Sequence, residues 1–352
     1  MSGLTDHVRL AEPILVTGAT GFLGSKLAQR LAMAGQRVRA LHRSTSDLSP
    51  LAGLDLELCQ GDLLDPASLR RASEGAKTII HCGGLVAGWR RAAPLHRSHV
   101  SGTRHLLTAA REQSIERFLH VSSVAALGLP WPDDDRIDAG MREDHTWNGD
   151  GRSWPYAYAK HLAEVEVHKA VGQGLDAVIV CPSAIFGPGD IKRKQGGILA
   201  RVVDGRLPPI APAGGLNVVH LDDVLDGILA AWQRGQTGQR YLLTGHNLTH
   251  YDLLVQLAHL AGRRPPRWRL PSTPLRLLGS LAVALPDGLP IPARIPMLRL
   301  AGLHFYYDNR ASLMALGLPQ PKGVAHALRD AHAWHVAAQP SPADRKRTAP
   351  AG

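Results

Sequence analysis

A doubly wound α/β fold built on a parallel sheet is predicted for this chain by three observations. Short apolar runs alternate with helix-period segments from Ile14 to Val180. The first of these runs breaks into a glycine-rich turn that leads straight into a helical pattern. After Pro182 the texture changes, and Gly, Pro and basic residues dominate. Strands and helices alternating at this spacing imply βαβ units, hence parallel strands with helices on both faces. Irregular segments such as those after Pro182 usually carry ligand specificity.

Taken in order, Ile14-Leu15-Val16 is the first strand, and Phe22 to Ala34 a helix with Gly35 as its stop. Arg37 to Leu41 alternates as a second strand, and Leu56-Glu57-Leu58 gives a third that closes on Gly61-Asp62. Pro66 to Ala72 begins a helix, Thr78 to His81 is a fourth strand, and His105 to Glu112 is helical. Phe118 to Val121 is a fifth strand, Ala157 to Val171 a long helix, and Ala177 to Val180 a sixth strand. The expected organisation is a tail over 1–10, a nucleotide-binding domain over 11–186, a mostly substrate-binding region over 187–335, and a disordered Pro-rich tail over 336–352. Residues 217–245 are expected to return to the first domain.

The 352 residues are 44% hydrophobic and 20% charged, the profile of a folded globular protein with a sizeable core. The net charge of +10 is spread as pairs such as Arg70-Arg71, Arg90-Arg91 and Arg263-Arg264. It reads as a solvated basic surface or as attraction for a phosphate-bearing ligand. With 6 Tyr and 4 Phe, and no basic run interleaved with aromatics, a nucleic-acid platform is not expected. Cys59, Cys82 and Cys181 have neither pairing nor metal spacing and read as small buried hydrophobes. Met1 to Leu10 has no apolar core of a secretory signal, so a cytoplasmic location is expected. Leu275 to Leu285 is apolar but too short to span a bilayer. It reads as a buried helix, or else as a greasy lid or peripheral membrane contact. The eighteen histidines show no metal-binding spacing, and no metal is expected.

The turn Thr17-Gly18-Ala19-Thr20-Gly21-Phe22-Leu23-Gly24 spaces its glycines as GxxGxxG between strand and helix. Gly18 permits the sharp turn, Gly21 lets backbone approach a pyrophosphate, and Gly24 allows the helix to pack closely on the strand. This is a Rossmann-type dinucleotide signature. An acidic residue ending the second strand would select NAD through the ribose 2′-hydroxyl, whereas a basic one accepts the 2′-phosphate of NADP. Here stand Leu41-His42-Arg43-Ser44, with no carboxylate until Asp47. Arg43, with Arg39 or His42 as helpers, points to NADP, with NAD the alternative.

Tyr156 and Lys160 are four apart on a predicted helix and so share one face. A phenol is a poor acid or base at neutral pH, and a neighbouring ammonium favours its phenolate. Ser122-Ser123 ends the fifth strand, on the sheet edge where ligands bind in such folds.

Together TGATGFLG, Gly61-Asp62-Leu63, HVSSVAALG from His120, YAYAK from Tyr156, CPSAIFGPGD from Cys181 and NVVHLDDV from Asn217 resemble the extended short-chain dehydrogenases, the NAD-dependent epimerase/dehydratase family. The likeness runs from about Pro13 to His335. Among members it looks similar to the dihydroflavonol-4-reductase-like, hopanoid-associated sugar-epimerase-like and 3β-hydroxysteroid-dehydrogenase-like groups. The resemblance implies hydride transfer between a nicotinamide and a carbinol or carbonyl carbon. It implies Tyr156 as acid/base, Lys160 as holder of the nicotinamide ribose, and Ser123 as catalytic serine with Ser122 behind it. It further implies Asp62 and Leu63 at the adenine, His81, Cys82 and Gly83 at the ribose and phosphate, and Pro182, Ser183 and Ile185 at the nicotinamide.

Three departures stand out. His99 replaces the family's usual Asn, Cys181 the usual Arg before Pro182, and Gly83-Gly84 a usual Ala-Ala. The expected activity is NADP(H)-dependent reduction of a ketone or aldehyde on a fairly apolar small molecule, with Trp89, Trp131 and Trp154 as candidate cleft walls. The rivals are nucleotide-sugar epimerisation or dehydration with tightly held NAD, for which Lys192, Arg193, Lys194 and Arg201 are candidate diphosphate ligands, and a non-catalytic redox sensor. A homodimer would follow the family's habit.

Overall fold

The structure, a computed structural model, describes residues 9–85, 92–130, 140–151, 154–190, 197–206, 209–284 and 295–337. The chain begins with β1 (Ile14–Thr17), α1 (Phe22–Met33), β2 (Val38–His42) and β3 (Glu57–Gln60). It continues through α2 (Pro66–Ser73), β4 (Thr78–His81), a short α3 (Ala92–His96), a π-turn over Arg97–Ser101, and α4 (Gly102–Glu112). Then come β5 (Arg117–Val121), a 3₁₀ turn (Val124–Leu127), α5 (Pro155–Gly172), β6 (Ala177–Pro182) and β7 (Ala184–Phe186). After these lie α6 (Ile198–Val203), β8 (Ile210–Pro212), β9 (Gly215–His220), α7 (Leu221–Arg234), β10 (Arg240–Leu243) and β11 (His246–Thr249). The last elements are α8 (His250–Leu260), β12 (Trp268–Leu270), α9 (Ser272–Ala284), a 3₁₀ turn (Pro296–Leu300), α10 (Arg310–Leu316) and α11 (Val324–Ala337).

Seven strands form one sheet in the order β10-β6-β5-β4-β1-β2-β3, every neighbouring pair parallel. Strand order reverses between β1 and β4, which opens a crevice at the carboxyl ends of those strands. Side chains alternate across the pleat and fill two separate cores. Val16, Ile80, Leu119 and Val180 pack with Leu27, Val224 and Ile228 on one face. Leu15, Ile79, Phe118 and Ile179 pack with Leu69, Leu106 and Val167 on the other.

At Pro182 the chain leaves this sheet for β7, which pairs in parallel with β9, while β11 pairs antiparallel to β9. Here α6, α8 and α11 enclose a third core around Val202, Val218, Leu253, Leu257 and Leu328. The stretch from α7 to β10 returns to the large sheet, β10 pairing with β6 in the register Leu242↔Cys181. The apolar run expected to be a buried helix is α9, and Leu277, Leu278 and Leu281 on it are 62%, 48% and 58% exposed. Among the described residues no helix is long and apolar enough to cross a membrane.

Candidate active site

The glycine turn is built backbone on backbone. Gly18 sits at φ +69°, and a Cβ there would lie 2.7 Å from the Cys82 carbonyl carbon and the Gly83 nitrogen. The Gly21 amide donates to the Gly18 carbonyl at 2.8 Å, and a Cβ on Gly24 would collide with that same oxygen. Helix α1 therefore starts directly above β1, with Gly21 as an N-cap that supplies no side-chain bond and with no carboxylate in the first turn. Its uncapped N–H groups and positive pole face the crevice where strand order reverses, an arrangement that fits a pyrophosphate. Thr20, Phe22 and Leu23 are half-buried around the turn.

Beneath it, the Thr17 hydroxyl shares a hydrogen bond of 2.7 Å with His81 Nδ1 and accepts the Gly83 N–H at 3.2 Å. His81 Nε2 meets Thr103 Oγ1 at 3.0 Å. Burial, helped by the Lys160 charge, pulls the His81 imidazole down to about 3, so it is neutral. Asp62 accepts the Leu64 N–H at 2.9 Å, and Leu63 lies against the face of Gly83, where a Cβ would be 3.1 Å from its Cδ1.

Arg43 directly follows β2 and is exposed, and its side chain has no partner among the described residues. Arg39 is committed elsewhere. Its Nη1 donates to the carbonyls of Ala72 and Glu74 at 2.7 and 2.8 Å, and its Nε pairs with Glu57 at 2.8 Å. The ring Nδ1 of His42 lies 3.1 Å from the Arg43 carbonyl.

Pro155 opens α5 at a position where its missing N–H costs nothing. Tyr156, Lys160 and Glu164 then follow on successive turns of one helix face. The Lys160 ammonium is buried and donates to the Val121 carbonyl at the end of β5, 3.0 Å away. Burial pulls it down to about 8, against the pull of nearby Cys181, Glu164 and Cys82. Tyr156 is half-buried, and the His99 ring meets it edge-on at 5.6 Å between centroids.

The two serines divide. Ser122 is buried and hydrogen-bonded to Glu164. Ser123 is half-buried, and its oxygen caps the 3₁₀ turn by accepting the Ala125 N–H at 3.2 Å. Its own proton has no acceptor among the described residues. At the end of β6, Pro182 is buried, Ile185 is half-buried, and Ser183 Oγ donates to Asn217 Oδ1 at 2.7 Å, tying the strand to β9.

Sequence reasoning missed Glu164 and Arg240. Glu164 is 1% exposed, bonded to Cys181 Sγ at 3.4 Å and paired with Arg240 at 2.7 Å. Arg240 reaches this carboxylate from the adjacent strand β10, where it stands opposite Ile179. Cys181 faces Glu164 under the site, where burial holds its thiol well above the ordinary range.

His99 and Gly84 also prove to be linked. A Cβ on residue 84 would collide with the His99 ring, so the larger side chain at 99 occupies space vacated at 84. His99 Nε2 lies 3.0 Å from the Leu85 carbonyl, which only accepts. Burial and the Lys160 charge pull the ring down to about 3. The proton of this neutral imidazole therefore sits on Nε2, and Nδ1 keeps a lone pair.

A cavity of about 790 Å³ has Met141, Trp154, Arg276, Ser280, His304 and Tyr306 on its walls; none of the residues above lines it, and Trp154 is its link to Tyr156 along the chain. Trp154, two residues before Tyr156, packs edge-on against Phe305 at 5.2 Å. Arg142 and Arg310 share Asp308 and Arg299 pairs with Asp150, so two carboxylates hold three of the four arginines of the wall. Arg201 is exposed and outside this wall. Trp89, Trp131, Lys192, Arg193 and Lys194 lie outside the described residues. Asp222 and Asp223 hold Lys322 through its ammonium at 2.6 Å and its N–H at 2.8 Å, a structural clasp. His220, His326 and Asp330 bring three ligand atoms within 4.8 Å. His220 Nδ1 accepts the Asp222 N–H at 3.0 Å, so Nε2 of the neutral ring carries the proton toward Asp330 and has no lone pair for a metal.

The model of the NAD dependent epimerase/dehydratase family matches residues 14–243. The chain belongs to this family. It is an NAD(P)-dependent oxidoreductase of the short-chain dehydrogenase/reductase type. A Synechocystis protein provisionally named a dihydroflavonol 4-reductase is 34% identical over 340 residues, covering 93% of this chain and 95% of that one. Sterol demethylase protein B of Methylococcus capsulatus is 34% identical, covering 91% and 97%. A Stigmatella aurantiaca ketoreductase of a farnesylated dihydroquinoline oxide is 30% identical, covering 81% and 84%. The crystal structure of gox2253 superposes with a TM-score of 0.81 at 34% identity, covering 92% of this chain and 98% of that one.

Proposed function

We propose that the chain is an NADP(H)-dependent reductase of a ketone or aldehyde on a largely apolar small molecule, reversible as a secondary-alcohol dehydrogenase. The observation that carries this reading is the buried Lys160, pinned to the Val121 carbonyl one helical turn after Tyr156 and beside the end of β5, where Ser123 stands. A buried ammonium held there stabilises negative charge on the phenol and brings it into the range of a general acid and base.

The Gly18–Gly24 turn and the first turn of α1 would hold the pyrophosphate, and Arg43 the 2′-phosphate of NADP. Lys160 would hold the nicotinamide ribose. The bound cofactor supplies the hydride. Ser123 offers its proton to the substrate oxygen and fixes its position, and Tyr156 delivers the proton that turns the developing alkoxide into an alcohol. His99, neutral with its lone pair on Nδ1, stands edge-on to Tyr156 and accepts a proton more readily than an Asn carboxamide would. An apolar substrate is supported by the sterol and farnesyl groups in the names of two relatives.

Replacing Tyr156 by Phe should lower turnover at least 10²-fold while leaving NADPH binding intact; a loss of less than tenfold would overturn the mechanism. Titration by nicotinamide fluorescence should show NADPH bound more tightly than NADH, with the preference collapsing in Arg43→Ala. A preference for NADH, or purified protein carrying cofactor that does not exchange, would favour the epimerase/dehydratase reading.

A further inference from the structure

Helix α9 presents three different faces. Leu275, Gly279 and Ala282 turn inward, and a Cβ on Gly279 would collide with the Arg299 backbone nitrogen, so the helix lies directly on the 3₁₀ turn at Pro296–Leu300. Arg276 and Ser280 line the cavity. The remaining face, Pro274, Leu277, Leu278 and Leu281, follows the i, i+3, i+4, i+7 pattern of an apolar stripe. All four of these residues are exposed. A stripe that would ordinarily seal a core is turned to the outside, which marks a surface with a partner.

The neighbouring chain identifies the partner's chemistry. Trp268 on β12 is 66% exposed, and Ile210, its register partner on β8, is 40% exposed. From Leu253 to Pro286 the chain carries Arg263, Arg264, Arg267, Arg269 and Arg276 and no Asp or Glu. Apolar side chains, an exposed Trp and arginines without a carboxylate partner among the described residues are the composition of an interfacial segment that lies on an anionic bilayer. No described helix can cross one.

We infer that α9 and β12 dock the enzyme peripherally on an anionic lipid surface. The stripe sinks among the acyl chains while Arg263, Arg264, Arg267 and Arg269 meet the headgroups. The helix that touches the lipid is also a wall of the cavity, so a water-insoluble substrate would pass from the bilayer into the cavity along α9. This rests on the reading of the substrate as apolar, and the test separates the two.

Full-length protein is floated with phosphatidylcholine vesicles and with vesicles containing about 30 mol % phosphatidylglycerol, for wild type and for Leu277→Glu/Leu281→Glu. NADPH-dependent reduction of a water-soluble aldehyde without vesicles is measured in parallel. Wild type should float with the anionic vesicles and far less with neutral ones, and the double variant should lose at least tenfold in partitioning while matching wild type in the soluble assay. Equal partitioning of the two proteins, or no binding of wild type to either vesicle, overturns the proposal whatever the soluble assay shows. So does a wild-type dimer that the double variant converts to monomer, since a second copy would then cover the stripe. Loss of the soluble reaction in wild type would strike the catalytic reading alone.

Discussion

A methyl group at position 84 would enter the space of the His99 ring, so the two departures there form one adjustment. Gly84→Ala alone should cost about 1–3 kcal/mol through overpacking. Adding His99→Asn should relieve part of that cost, with a coupling of about 1 kcal/mol in urea-denaturation midpoints; strictly additive losses would show that the residues do not share space. In sequence the pair reads as two unrelated oddities, because nothing in spacing or periodicity joins a loop glycine to a histidine in a later π-turn. Gly18, by contrast, is legible in advance, since a strand that turns at once into a helix demands a positive φ, and the residue adopts +69°. Arg43 and Arg39 show the remaining ambiguity: both are basic, one on the second strand and one just past its end, but only the fold reveals that Arg39 is spent on Ala72, Glu74 and Glu57.

Helix α5 carries a second linked set. Tyr156, Lys160 and Glu164 stand on successive turns, and Arg240 arrives from β10 to neutralise the buried carboxylate. Arg240→Leu would strand that carboxylate and should cost about 3–5 kcal/mol, with Glu164→Gln in the same chain recovering most of it; urea midpoints of the single and double variants decide. The i+4 step from Lys160 to Glu164 was available in the sequence and could have flagged the acid. Arg240 had no such signal, because its neighbour Cys181 is brought alongside only by the pairing of β10 with β6. Six of the seven strands of the large sheet are legible from short apolar runs, whereas β10 is not: only the return of its stretch to the first domain is expected. The stripe of α9 was legible as an apolar pattern, but its direction was not, since periodicity says which residues share a face and not what that face meets.

Across the whole molecule, His81, His99 and His120 are buried around Lys160. Burial, with the nearby charges, holds the first two near 3 and the third well below the usual imidazole range. Their folded-state values lie below the unfolded value near 6.5, so the unfolded chain binds more protons as pH falls. Stability should therefore be full above about pH 6.5 and decline toward about pH 3, by up to about 1.4 kcal/mol per pH unit for each histidine. Among the described residues neither ring nitrogen of His120 has a hydrogen-bond partner; His120→Leu should flatten the slope by one proton, and a slope identical to wild type would remove this histidine from the account. Activity should respond at the other end of the scale. Lys160 loses its charge above about pH 8, and kcat/KM should fall there as support for the Tyr156 phenolate is withdrawn.

The position of β10 bears on how the protein is made. The strand that covers the outer side of β6 lies beyond β7, α6, β8, β9 and α7 in the chain. A ribosome therefore releases β6 well before its neighbour exists, and the nascent sheet carries an unpaired, wholly apolar edge while the intervening segments emerge. Such an edge invites pairing with other chains. A released chain that ends near Phe186 should aggregate, whereas one that extends past Leu243 can close its own sheet.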